Sequence, residues 1–76
     1  MKDLLAFILK NITGSEEFTI TEEDTEDGKV NLLVKVPQEL AGLIIGKEGK
    51  TIKNIRRLVS VKAALENKVV NISLEE

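Results

Sequence analysis

Residues 43–58 read LIIGKEGKTIKNIRRL, and what Gly46 and Gly49 are for decides the fold. A glycine takes positive φ without the clash a Cβ brings, so two of them three positions apart permit a sharp reversal. A bare turn needs only one, and it leaves Lys47, Lys50 and Lys53 with nothing to do. A helical pattern begins directly after Gly49: Ile52, Ile55, Val59 and Ala63 share one stripe, while Lys50, Lys53 and Arg57 fall on nearly the opposite side, with Arg56 at a flank. A helix starting there directs its free amides and positive dipole end toward the place where Lys47 and Lys50 stand, a setting that suits a phosphate. The glycines also keep side chains away, leaving room for a polymer backbone against the loop. A nucleotide P-loop fails on two counts. The glycine it needs five positions before Gly49 is Ile44, and the lead-in reads as helix where a strand is required. No G-x-G-x-x-G dinucleotide fingerprint is present either.

Upstream, Pro37 stops a strand and serves as the first residue of a short helix, QELAGLII, that runs up to Gly46. Before it, EFTITEEDTEDGKVNLLVKVP has period two: Phe18 and Ile20 share one side of a first strand, and Val30, Leu32, Val34 and Val36 one side of a second. Asp27-Gly28 is a hairpin signal, since both positions tolerate positive φ. The acids from Glu22 to Asp27 fall at the exposed end of that hairpin; without EF-hand spacing they read as a solvated loop, and no metal site is expected. At the start, Leu4, Leu5, Ile8, Leu9 and Ile12 recur at helical spacing over about three turns, and Gly14 ends them. Downstream, the long helix continues to about Glu66 and KVVNISL reads as a last strand. Phe7 and Phe18, the two aromatic residues, are assigned to the core.

Composition narrows the function. The 76 residues, 42% hydrophobic and 32% charged, can build one modest core and leave no room for a separate catalytic domain. Cys and His are absent, which removes a Cys/His zinc site, a thiol nucleophile, a disulfide framework and histidine acid–base chemistry. The scattered Ser, Thr, Lys and carboxylates form no paired constellation, so the reading is a non-enzyme with no cofactor and no small-molecule substrate. The apolar run Leu4–Leu9 is too short for a signal sequence, and no stretch approaches membrane-spanning length, so a cytoplasmic protein without a membrane partner is expected. The formal net charge of −2 hides a segregation: residues 1–28 hold two lysines against eight acids, residues 29–76 nine basic residues against five. Between Lys47 and Lys62 there are six basic residues and one acid, a field that attracts a polyanion. On the same helix Leu58, Val61 and Leu65 form a second apolar line. It is expected to pack on the N-terminal helix within the monomer, the alternative being a surface for a partner subunit.

The stretch from Leu43 to Leu58 resembles the KH-domain signature, hydrophobic-Ile-Gly-x-x-Gly-x-x-hydrophobic, with Gly46-Lys47-Glu48-Gly49 as its GXXG loop. The element order is similar to the type II arrangement. The length, and the ending in a basic helix, a short loop and V-V-x-I, look like the small bacterial stand-alone KH proteins of the KhpA (YlqC-like) family. The resemblance covers nearly the whole chain. It implies an α+β fold with three helices on one face of a three-stranded mixed sheet, as a single KH domain over residues 1–76: a helix–strand extension to about residue 28 and a strand–helix–GXXG–helix–strand core beyond it. It implies an RNA-binding protein, a small bacterial RNA chaperone or post-transcriptional regulator, that holds about four nucleotides of single-stranded RNA in a groove. Carried over by position, Gly46, Lys47, Glu48 and Gly49 would hold the sugar-phosphate backbone, with Ile45 and Thr51 beside them. Ile44, Ile52, Val70 and Ile72 would line the floor under the bases. Lys50, Lys53 and Arg57 read, independently of the family, as a basic line extending phosphate contact. Glu48 places a carboxylate in the loop, and aromatic stacking platforms are lacking, so one copy is expected to bind weakly and with low selectivity. A second KH unit would raise affinity through effective concentration. The resemblance implies a homodimer, or pairing with a larger KH protein of the KhpB (Jag-like) type, which fits the apolar line of Leu58, Val61 and Leu65 as an interface. The alternative function is a dimerisation adaptor with the GXXG loop at a protein interface, for which Glu48 and the acidic N-terminal portion speak.

Overall fold

Helical and alternating patterns succeed one another along the chain, and the computed structural model, which describes residues 1–75, follows them. The order is α1 (Lys2–Thr13), β1 (Thr19–Asp24), β2 (Lys29–Lys35), α2 (Gln38–Ile45), a 3-10 turn at Lys47–Gly49, α3 (Lys50–Leu65) and β3 (Val69–Glu75). This is the expected α+β class and element order. β1 and β2 are antiparallel, with Ile20 opposite Val34 and Asp24 opposite Val30. β3 joins the other side of β2 in parallel, with Val30 beside Val70 and Leu32 beside Ile72, so β2 is central in a mixed sheet. Parallel neighbours cannot be joined by a hairpin. The α2–turn–α3 unit makes the crossover, and α3 therefore runs back along the sheet toward the start of β3.

The strand pleat sends Val30, Leu32 and Val34 to one face, together with Ile20 and Ile72. The helices cover that face with Leu5 and Leu9 from α1, Ala41 and Ile44 from α2, and Ile55, Val59 and Ala63 from α3. All are buried, and among the described residues no polar or charged side chain is buried with them. Glu22 ties α1 to the sheet by accepting the Lys2 amide at 3.1 Å. Asn67 closes α3 in the left-handed region (φ 58), its N–H donating to the Ala64 carbonyl and that of Lys68 to the Ala63 carbonyl at 2.8 Å. That double bond pattern is a Schellman stop, which asparagine tolerates better than other non-glycine residues.

The structure corrects four expectations. Pro37 (φ −61, ψ 149) caps α2 instead of opening it: its carbonyl accepts the Leu40 and Ala41 amides. In the hairpin only Gly28 has positive φ (80). The Gly28 amide donates to the Thr25 carbonyl and the Thr25 amide to the Lys29 carbonyl, so the connection is a turn followed by a glycine bulge and not a two-residue loop. Phe7 is 67% exposed. Leu5 and Leu9 take the buried face, and a residue two positions from each points about 200° away from it. Leu58, Val61 and Leu65 are 58%, 58% and 79% exposed and do not pack on α1. Their line lies about 130° round α3 from the stripe of Ile55, Val59 and Ala63, which already fills the helix's contact with the core.

Among the described residues, no helix is long and apolar enough to cross a membrane. The two outcomes for α1 are separable by chemical denaturation. Leu9→Ala is expected to cost roughly 2–5 kcal/mol by opening a cavity, and Phe7→Ala to change stability by no more than about 0.5 kcal/mol.

Candidate nucleic-acid interface

The reversal between α2 and α3 is built from three consecutive demands on the backbone. Gly46 has φ 75 and ψ 176, a region essentially reserved for glycine. A Cβ on Gly46 would fall 2.6 Å from Thr51 Cβ and 3.0 Å from the Thr51 amide nitrogen, with Thr51 Oγ1 nearer still. Glu48 sits in the left-handed region (φ 57, ψ 25), at a cost of about 1–2 kcal/mol for a residue with a side chain. Gly49 (φ 75, ψ 13) caps α3 in open space, where an added Cβ meets nothing within 4 Å. The Gly49 amide turns back to the Gly46 carbonyl at 3.2 Å and the Lys50 amide to the Lys47 carbonyl. No side chain caps the 3-10 turn or α3, and the positive end of the α3 dipole lies at this turn.

Around this turn the cations are uncommitted. The ion pairs among the described residues join Lys10 to Glu16, Lys29 to Asp27, Lys62 to Glu66 and the terminal amine to Glu22. Lys47, Lys50, Lys53, Arg56 and Arg57 take part in none of them and are exposed. Glu48 is exposed as well and pairs with neither adjacent lysine. The structure thus brings together Gly46 through Thr51 and sets Lys53 and Arg57 one and two turns further along α3.

The floor differs from expectation at one position. Ile44 is fully buried, packed in the core, and offers no surface to a ligand. It follows Ala41 by three residues on the sheet-facing side of α2, so the helix turns it inward. Ile45 (37% exposed) and half-buried Ile52 present the apolar surface beside the loop. Val70 is half-buried and Ile72 nearly covered, both on the inner side of β3.

A cavity of about 640 Å³ opens between α3 and β3. Its lining is Arg56 and Ser60 of α3, Val70 to Ser73 of β3 and Asn31 of β2; in the pleat Val70 and Ile72 face the helices, and Asn31, Asn71 and Ser73 the other side of the sheet. Only Val70 and Ile72 were picked out from the sequence. The polar five come from the flank of a helix and the outward positions of two strands that pair in parallel, and no spacing motif joins such residues.

A sequence profile for "KhpA/KhpB, KH domain" matches residues 2–74. The chain belongs to this family. It is 40% identical over 75 residues to the RNA-binding protein KhpA of Chlamydia caviae, covering 99% of this chain and 94% of that protein. It is 40% identical over 60 residues to RNA-binding protein KhpA of Thermotoga maritima (79% of this chain, 80% of that protein) and 34% identical over 74 residues to the one of Clostridium perfringens (97% and 99%). The matched span contains the loop from Gly46 to Gly49 and all the strands and helices described above except the last residue of β3.

For this KhpA/KhpB-family chain the two loop glycines carry different demands, and substitution separates them. Gly49→Ala meets only the φ penalty and is expected to cost about 1–2 kcal/mol. Gly46→Ala meets that penalty together with the collision against Thr51, and is expected to cost at least twice as much by denaturant unfolding.

Proposed function

We propose that this chain is a non-enzymatic protein that binds short single-stranded RNA, with residues 1–76 acting as one KH unit and the Gly46–Gly49 loop closing on the sugar-phosphate backbone. The observation that carries the reading is that Lys47 and Lys50, in no ion pair among the described residues, stand at the uncapped start of α3, with Lys53 and Arg57 one and two turns further along it, beside the apolar surface of Ile45 and Ile52. Backbone amides and lysines recognise phosphate without regard to sequence, and apolar side chains support unstacked bases. The curated relatives reported above are named RNA-binding proteins, which supports the same ligand class. A bacterial RNA chaperone or post-transcriptional regulator is the role that fits a small binder of this kind. Thr51 acts beside the loop by holding Gly46 in place, and Glu48 weakens attraction to phosphate where it stands.

Two substitutions test the loop in opposite directions. Replacing Lys47 and Glu48 together by Asp is expected to weaken binding to a pool of short single-stranded RNAs roughly tenfold, from lost charged hydrogen bonds. Unchanged binding with an intact fold would sink the reading. Glu48→Lys is expected to tighten binding and to steepen the slope of log affinity against log salt by about 0.7, one more phosphate contact on a single strand.

The exposed line of Leu58, Val61 and Leu65 favours a second reading, in which the same fold serves as a dimerisation adaptor. A second copy, or a larger KH partner of the KhpB type, would cover that line, since contiguous exposed apolar surface marks interfaces. Sedimentation decides it: wild type is expected to associate, and Leu58→Glu with Leu65→Glu to run as monomer. A wild type that stays monomeric at high concentration excludes self-association.

A further inference from the structure

We infer that Glu48 is the residue by which the loop tells RNA from DNA: its carboxylate accepts a hydrogen bond from a ribose 2′-hydroxyl of the strand held at Gly46–Gly49, an assignment that rests on the single-stranded RNA reading above. A clamp on phosphates has no use for a carboxylate, yet this loop carries one at a position that strains any side chain. Glu48 has φ 57 and ψ 25, a conformation that glycine takes freely and glutamate only at a cost. It is exposed. Lys47 adjoins it and Lys50 stands two residues on, but it enters none of the ion pairs among the described residues. Nor does it belong to any cluster of three or more metal-ligating side chains among them. Its acceptor oxygens are unused within the monomer.

The chemistry of the nucleic-acid backbone leaves this carboxylate one partner. An ionised carboxylate only accepts hydrogen bonds, and so do the oxygens of a phosphodiester and of the sugar ring. The 2′-hydroxyl is the one donor that a sugar-phosphate backbone offers, and it is the group that distinguishes RNA from DNA. Against RNA, Glu48 gains a charge-assisted O–H···O⁻ bond that offsets its repulsion of the neighbouring phosphates. Against DNA only the repulsion is left. Dinucleotide-binding folds use an acidic side chain on a ribose 2′-hydroxyl in the same way. A base amino group lies farther off, since bases extend from the sugar away from a loop that closes on the backbone. Lys47 and Lys50 attract the phosphates of either polymer and contribute no preference between the two.

The test is fluorescence anisotropy with one short sequence of adenine and cytosine made as RNA, as DNA and as 2′-fluoro RNA, which keeps a ribose-like pucker but cannot donate. Wild type is expected to bind RNA roughly three- to tenfold more tightly than either of the others, the yield of one hydrogen bond. Glu48→Gly removes the carboxylate and relieves the backbone, so the fold is kept. It is expected to tighten DNA binding and to bring the RNA-to-DNA ratio to within about twofold. Equal binding of the three strands by wild type, weakened for each by replacing Lys47 and Glu48 with Asp, overturns the assignment and keeps single-strand binding through the loop. An RNA preference that 2′-fluoro RNA shares overturns the assignment too, since pucker then decides. So does a preference that survives Glu48→Gly, the outcome if the carboxylate only serves the dipole of α3. Binding of no strand overturns both readings.

Discussion

The reversal between α2 and α3 depends on how closely the Gly46 backbone passes Thr51. α2 must bury Ala41 and Ile44, and α3 must bury Ile55, Val59 and Ala63, on one face of one sheet, yet only Gly46–Gly49 separates the helices. The reversal is possible because Gly46, Glu48 and Gly49 all take positive φ and the Thr51 side chain fills the place where a Cβ on Gly46 would stand. Threonine is β-branched and stiff at χ1, so it makes a firm stop against the glycine. The left-handed Glu48 costs about 1–2 kcal/mol. The buried residues of the two helices, each contributing roughly 1.5–3 kcal/mol, hold it there.

The crossover from β2 to β3 then distributes charge. Because β3 lies parallel to β2, α3 returns antiparallel to both, and its C-terminal end meets the hairpin: the Val69 amide donates to the Gly28 carbonyl at 3.0 Å, and Asn67 lies against Gly28. The acids from Glu22 to Asp27 therefore cluster toward one end of α3 and the GXXG loop lies at the other. A helix of 16 residues spans about 24 Å. That is several times the screening length at physiological salt, about 8 Å, so the acidic hairpin does not neutralise the loop even though the chain as a whole is acidic.

What could be read from the sequence follows from which features are periodic. The α-β-β-α-α-β order and the buried stripes of β2 and α3 were legible because each repeats at one spacing over several residues. The Gly46–Gly49 loop was legible because glycine spacing, flanking lysines and a helix start coincide within nine residues, 44 to 52. Phe7 was misread because hydrophobicity alone does not say which of several apolar neighbours wins the buried face. Leu5 and Leu9 win as an i, i+4 pair. Ile44 was misread for the converse reason: the motif names two isoleucines, and only helix phase tells that Ile44 turns inward while Ile45 turns out. The polar cavity was invisible, since Asn31 and Asn71 are forty residues apart and meet only through parallel pairing.

The exposed apolar line on α3 acquires a meaning from its angular position. Arg56 and Ser60 flank the buried stripe on the β3 side; Lys53 and Arg57 come next round the helix, and Leu58, Val61 and Leu65 lie beyond them. A partner covering that line would sit beside the basic residues without entering the cavity or touching Gly46–Gly49. On the proposed reading, RNA and a second subunit then use adjacent sectors of one helix and do not compete. On that reading a single groove with few apolar contacts and Glu48 in its loop would bind weakly. Two grooves held on one strand convert the second contact into an intramolecular one, with a gain set by their spacing and not by any new contact. On the second reading, the apolar side chains that the monomer leaves exposed on this face of α3 are what such a partner would cover.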